Sequence, residues 1–598
     1  MKPQIKADGQ EPELRLKTCV GQRLPLVRAV LLSVVCAAAP CAEPAAPISV
    51  PDWAIAALSF RELGKGLDKA GAYIDRLMPN SAELAKEMAM SYLFNLPVDG
   101  VLKKDGWSVI FELDPAATGL NNERAFILCT ADAPAMKAAL VNTYGVPKEE
   151  AGIMTFTLPQ PVPQPDKTLA VKLAGDKLLA APAPRFLPKL EDYLAFSPGG
   201  PFGKLSAQGS ALPDAVLTLK VSSIKRSFGD LLQSSLEAGA RLASRDADEA
   251  TRLGARIKGL LDTIWQLDAI EARLEVDAAG TRAALEVLAL PGRQSALAKV
   301  LSTPATPTSG DLLCLLPGKA ACLASWNMNG TQLVDWLRSE LEKQGQAGEP
   351  GAETVRALLD VLQLAPGEAA LAASGSPSAG GAFLLALRAS DQAKAAQSLT
   401  AFFQALEKLF TAASAGGDLK APLLKALPDE EHSGVALHRY QLESPVAAPE
   451  SFAGIMGWPP GLQYALTGGT ALLSTGKQGF ETLKQAVADA RLLAPGAAPE
   501  GAGKGPTAAV LPGLAPGSFA AVLIYPQRLL QLGLAAAPPA LAAEAEKITL
   551  GAPDVPLTLS LRQSENLAAL RLDLPAAVPK AVYDLVVRLR SLSARKGK

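Results

Sequence analysis

The sequence predicts an α+β protein made of two similar tandem units, each a mainly antiparallel sheet with helices packed on one face. Three observations point there. Strand pairs outnumber single strand–helix–strand crossovers. Gly-containing two-residue turns sit between apolar stretches, which is hairpin chemistry. One succession of pieces is written twice, over 43–302 and again over 312–598.

The pieces come in the same order in both units. "PDWAIAALSFRELGKGLDKAGAYI" from Pro51 matches "PGKAACLASWNMNGTQLVDWLRSEL" from Pro317, each a turn, a short apolar strand and an amphipathic helix. "ERAFILCTADAPAMKAAL" from Glu123 matches "GGAFLLALRASDQAKAAQSL" from Gly380; a strand runs through Asp132 or Asp391, expected N-caps, into an Ala-rich helix. "GIMTFTLP" from Gly152 answers "GVALHRYQL" from Gly434. "KLAGDKLLAA" from Lys172 and "LTGGTALLST" from Leu466 follow as hairpins. "DAVLTLKVSSIKRSFGDLL" from Asp214 answers "SFAAVLIYPQRLLQLGL" from Ser518.

The last matched pair is "IEARLEVDAAGTRAALEVLALP" from Ile270 with "LTLSLRQSENLAALRLDLP" from Leu557. Leu274 and Val276, like Leu559 and Leu561, alternate with other residues as in half-buried strands. Each unit also carries a helical insert. In the first, over about 228–267, Leu253, Ile257, Leu260, Leu261 and Ile264 mark one apolar face. In the second, Phe402, Phe403, Leu406, Leu409 and Phe410 do the same. Pieces this far apart mark duplication of a domain and not a solenoid array.

The ends and joints are compositional. Arg23 and Arg28 precede an apolar run from Ala29 to about Ala39 and then small residues, so 1–42 reads as a signal peptide, too short for a membrane span. No later stretch is long and apolar enough for one. "TPATPTSGD" (303–311) is a linker, and the Pro/Gly/Ala-rich 494–517 is a flexible loop inside the second unit. The chain closes in an amphipathic helix with basic residues from Arg588 on, which complement a helix C-terminus or meet an anionic surface.

Composition excludes some functions. The chain has 598 residues, enough for several cores, with 49% apolar and 20% charged residues, which suits a folded protein. Its 58 basic and 59 acidic residues nearly cancel and only 5% are aromatic, so nothing suggests a nucleic-acid partner.

Chemistry-bearing motifs are scarce. His432 and His438 are the only histidines; a metal site from Asp429, Glu430, Glu431 and His432 would need consecutive residues to converge on one ion, and a solvated polar loop explains them better. Around Ser378, "SPSAG" lacks the first Gly of a nucleophile elbow and reads as a hairpin loop. "EGAGKGPT" around Lys504 has Gly505 where a phosphate loop needs Ser or Thr. Of the cysteines beyond the signal (Cys129, Cys314, Cys322), the last two would oppose each other if "LCLLPGKAACL" folds as a hairpin. A disulfide between them and two separate buried thiols both remain open. No cofactor, metal ligand set or catalytic residue emerges.

The export signal, the doubled unit and lines such as "RLEVDAAGTRAALEVLALPG" from Arg273 resemble uncharacterised secreted bacterial proteins with a duplicated α+β unit. That resemblance implies a periplasmic or extracellular protein and brings no active site with it. The expected function is a non-enzymatic binding or envelope-assembly protein of unknown partner, with the junction between units as its contact surface. A hydrolase using distant carboxylates is the alternative, and a carrier of an apolar ligand a weaker one.

Overall fold

A computed structural model describes residues 50–83, 106–120, 123–130, 132–158, 168–197, 200–202, 212–243, 247–292, 294–301, 311–327, scattered positions from 339 to 361, 368–376, 379–389, 391–414, 423–443, 455–457, 460–492, 518–534, 555–564 and 567–580. The expected signal peptide, the linker before Asp311, the 494–517 loop and the chain beyond Lys580 lie outside them.

The first part of the chain runs β1 (Ala54–Phe60), α1 (Leu63–Leu77), β2 (Ser108–Leu113), the one-turn α2 (Pro115–Thr118), β3 (Arg124–Cys129), α3 (Ala133–Tyr144), β4 (Lys148–Glu150), β5 (Ile153–Thr157), β6 (Thr168–Ala174), β7 (Lys177–Ala181) and α4 (Leu187–Phe196). It continues with β8 (Ala215–Lys220), α5 (Val221–Ala243), α6 (Ala247–Ile264), β9 (Leu267–Val276), β10 (Arg282–Pro291) and α7 (Ala296–Leu301). The remainder runs β11 (Cys322–Asn327), β12 (Glu368–Ser376), β13 (Gly380–Arg388), α8 (Gln392–Ser414), β14 (Leu423–His432), β15 (Val435–Glu443), β16 (Gly461–Thr467), β17 (Thr470–Thr475), α9 (Gly479–Leu492), β18 (Ser518–Ile524), α10 (Pro526–Leu534), β19 (Leu557–Ser564) and β20 (Leu567–Pro575).

Among the described residues all twenty strands belong to one sheet, and every pairing is antiparallel, as the strand pairs in the sequence lead one to expect. Across the sheet the order is β4–β5–β6–β7–β3–β2–β1–β8–β9–β10–β20–β19–β18–β11–β12–β13–β17–β16–β15–β14. Open sheets usually stop near ~10 strands; here two runs of that breadth meet edge to edge at β10 and β20.

The outer edges are protected against further pairing. β4 is the three-residue charged stretch Lys148–Glu150. β14 carries Pro428 and a register shift between Leu427 and Glu430, features that blunt an edge strand. The expected polar loop at Asp429–His432 is therefore a correction: these residues end β14, and the turn is Ser433–Gly434, both at positive φ as a type I′ hairpin requires. The hairpins read at Gly175–Asp176 and Gly468–Gly469 form as expected, closing β6–β7 and β16–β17.

The helices lie on both faces of the sheet, not on one. Along β3, Phe126 and Leu128 pack with Met136 and Leu140 of α3, while Ala125 and Ile127 pack with Leu187 and Leu190 of α4. Along β13, Leu384 and Ala386 meet Leu483 and Val487 of α9, while Leu387 meets Leu399 and Phe403 of α8. Cross-strand partners share a face, so the register places α4 and α9 on one face (the first) and α3 and α8 on the other (the second). The physical cause is in the strands: "AFILC" and "AFLLAL" are unbroken apolar runs, so both of their sides must be covered.

Two further expectations need correction. The helical insert expected over about 228–267 is two helices, α5 and α6, packed on each other; Leu261 is buried in it but Ile264 is 39% exposed. Leu260, Leu409 and Phe410 have side chains outside the described residues. Of the two Asp N-caps, Asp391 Oδ1 accepts from the Lys394 N–H at 3.0 Å, whereas Asp132 makes no side-chain cap.

Candidate functional site

The four strands at the middle of the sheet, β9, β10, β20 and β19, are written with period two, and their faces differ completely. On the first face stand Glu271, Arg273 and Glu275 of β9, Arg282 and Glu286 of β10, Arg571 and Asp573 of β20, and Ser560 and Arg562 of β19. On the second face every partner in the same register is apolar except Gln563, from Ala272, Leu274 and Leu285 through Leu570 and Leu572 to Leu559 and Leu561.

The first face carries an ion network, buried at Glu271, Glu286 and Asp573 and open at Arg282 and Glu275. Within the β9–β10 pair, Arg273 Nε donates to Glu271 Oε1 at 2.6 Å and Arg273 Nη1 lies 3.9 Å from Glu286 Oε2. Three ion pairs cross from there to β19–β20: Arg282 to Asp573 at 2.6 Å, Arg571 to Glu275 at 3.3 Å, and Arg562 to Glu286. Glu271 is wholly buried, and Glu286 and Asp573 nearly so. Burying these carboxylates is tolerable because each is held by an arginine; an unpaired one would be strongly destabilising. The same row buries the hydroxyls of Ser59 and Ser560 with no hydrogen-bond partner. Every carboxylate here has a guanidinium against it, which makes the network a clamp between strands and not an acid/base pair.

The second face of the same strands is an apolar floor. One cross-strand row runs Leu274–Leu285–Leu572–Leu559–Val522–Ala324–Leu371 over seven strands, about 29 Å at the usual strand spacing. Its two ends are the most open: Leu274 is 36% and its neighbour Leu285 39% exposed at one end, and Leu371 37% at the other, while Leu572, Leu559 and Val522 between them are partly exposed and Ala324 is buried. On one side α1 borders it, seated on the β9–β10 turn. Tyr73 Oη donates to Leu574 O at 3.2 Å and Arg76 Nε to Ala279 O at 3.0 Å. On the other side stands α8 with Trp326, Phe403 and the rings beneath. Period two in "IEARLEV" and "LAALRLDL" announces two unlike faces; nothing local says which of them water reaches.

The residues singled out in the sequence fall elsewhere. The hairpin that would oppose Cys314 and Cys322 does not form: Asp311–Leu315 is a 3-10 turn. β11 is already flanked by β12 and β18, where Cys322 pairs with Ala373 and Ile524, so no slot is left for a strand carrying Cys314. Among the described residues no cysteine is in a disulfide. Burial pushes the Cys322 thiol up, and that of Cys129 as well, where the Lys177 charge opposes the rise and Asp176 adds to it. Neither is an activated nucleophile.

His438 stacks on Tyr464 with ring centroids 4.5 Å apart, and its Nδ1 lies 3.1 Å from Asp429. Tyr440 and Phe403 extend the stack, and burial, with the nearby Tyr440, pushes the Tyr464 hydroxyl up to about 12. This is a packing cluster under α8. Among the described residues no group of three or more His, Cys, Asp or Glu side chains is placed to hold a metal ion. Ser378 and Lys504 lie outside those residues. Asp114, absent from the sequence reading, is wholly buried: burial raises its carboxyl, but hydrogen bonds from Ser227, Arg226 and the Ala116 N–H outweigh that and hold it below the usual range. It caps α2 and ties α5 to the end of β2.

No protein-family model matches this chain, and no curated protein or solved structure is significantly similar to it. Among the described residues no helix is long and apolar enough to cross a membrane.

Proposed function

We propose that the chain is an exported, non-enzymatic binding or envelope-assembly protein of two similar tandem α+β units, its contact surface the apolar floor at their junction. The partly exposed leucines of this row, Leu274 and Leu285 on β9 and β10 and Leu371 on β12, support this reading, because apolar sheet left open to water marks a place where something apolar docks.

The pairing order supports the two-unit part. Adding ten to each strand label of β4–β5–β6–β7–β3–β2–β1–β8–β9–β10 reproduces β14–β15–β16–β17–β13–β12–β11–β18–β19–β20. The matched sequence pieces follow it, with Ser59 and Ser325 at like positions in β1 and β11. The hydrolase alternative gains no support at the junction, where every carboxylate is held by arginine.

The experiment is capture of partners from the native envelope with the wild-type chain and with Leu285→Asp, using Leu231→Asp on the exposed flank of α5 as the control. Partners lost only with Leu285→Asp support the reading; identical capture by all three overturns it. A chain that instead takes up a fluorescent fatty acid stoichiometrically, and loses it with Leu285→Asp, is the apolar-ligand carrier.

A further inference from the structure

The ion network has an internal symmetry that stability alone does not require. Antiparallel pairing gives β10 and β20 a local two-fold axis, and it falls on the directly opposed Glu286 and Arg571. The two diagonal ion pairs, Arg562–Glu286 and Arg571–Glu275, are related by that axis. Their signs are not symmetric. At the positions the axis interchanges, β9–β10 carries Glu275 and Glu286, and β19–β20 carries Arg562 and Arg571.

We infer that the seam is a pairing code: the β10 edge of the first unit accepts the β20 edge of the second unit of the same chain and rejects another β10. This inference rests on the two-unit reading above. A β10–β10 contact in the same register would set Glu286 against Glu286, both buried, and the half-exposed Glu275 against Glu286. A β20–β20 contact would do the same with Arg571 and Arg562. Like charges so placed are a strong penalty, and nothing in the apolar second face would prevent such pairing. The charges therefore select the partner, while the main-chain ladder and the floor supply attraction. Without them, two copies of this chain could join first unit to first unit, an open edge added to an already broad sheet.

The test uses the full chain with a protease site placed within 303–310, cut after folding, and native size-exclusion chromatography of the product. The wild-type halves stay together one to one. In Arg562→Glu/Arg571→Glu they separate, with affinity weakened at least about a hundredfold. Adding Glu275→Arg/Glu286→Arg to that variant restores at least about tenfold of the loss; Arg273 and Asp573, left in place, keep the recovery incomplete. Halves of the double variant that bind as tightly as wild type, or a quadruple variant no tighter than the double, overturn the code. Circular dichroism of separated halves judges the two-unit reading independently: halves that unfold refute that reading. The code is then read from the uncut chain, whose melting midpoint must fall in the double variant and recover in the quadruple; a midpoint that does not recover overturns it.

Discussion

Gly280 is where the border of the floor is decided. It lies in the β9–β10 turn at φ +63°, and a Cβ built on it would stand 2.7 Å from Tyr73 N and 2.8 Å from the Ala72 carbonyl carbon. Those are backbone atoms of α1, which cannot swing aside as a side chain can. Gly280→Ala therefore meets two costs. An L-residue in the left-handed region is strained by about 1–2 kcal/mol. Forcing the helix off its seat adds about 1–3 kcal/mol of overpacking, for about 2–5 kcal/mol in all. Gly119 is the matched control: it sits at φ +73° with nothing within 4 Å of its would-be Cβ, so Gly119→Ala meets only the strain, about 1–2 kcal/mol. Urea unfolding of both variants followed by circular dichroism measures the difference. Equal destabilisation would show that α1 is not seated on the turn, and the floor would lose one of its walls. Where Gly280→Ala folds, protection of the Tyr73–Leu574 region against hydrogen exchange should fall with it.

Leu285→Asp should cost only about 1–2 kcal/mol, because Leu285 is already 39% exposed, whereas Leu288→Asp on the opposite face, at 3% exposure, should prevent folding; thermal melts that rank them the other way would reverse the assignment of the open face. Buried Tyr193 and Tyr464 are raised from an ordinary 10 to about 12 by burial, so the unfolded chain ionises first and stability should fall by about 1.4 kcal/mol per pH unit for each between pH 10 and 12. That slope, followed by tyrosinate absorbance and urea midpoints, should shrink in Tyr193→Phe and Tyr464→Phe; an unchanged slope refutes it. Asp114→Ala should lose about 2–4 kcal/mol at neutral pH, since it removes a helix cap and leaves Arg226 and Ser227 without their carboxylate. Because the Asp114 carboxyl is held below its ordinary value, its contribution is present above that value and lost as pH falls through the lower folded one, so the wild-type and Asp114→Ala unfolding curves should converge in acid. Cys129, buried, and Cys322, partly buried, both with raised thiols, should be alkylated slowly by iodoacetamide until urea unfolds the chain; rapid labelling of Cys129 in buffer would contradict the packing around β3.

By itself the sequence determined what is local. The turns at Gly175–Asp176 and Gly468–Gly469, the cap at Asp391, the helix over Gln392–Ser414 and the alternation of β9, β10, β19 and β20 all follow from interactions within a few residues, which the chain spells out directly. The unbroken apolar runs of β3 and β13 also held the signal that both faces are covered, but a run cannot say what covers it. Only the tertiary structure decided what lies against what. Period two tells that Glu271, Arg273 and Glu275 share a side of β9 and Leu274 the other. In an isolated strand the charged side would face water. Here Arg273 holds Glu271 on the strand itself and Arg571, almost three hundred residues away, reaches Glu275, so Glu271 is buried while Leu274 on the apolar side is left partly open. Such an inversion depends on register between distant strands, which no short stretch encodes.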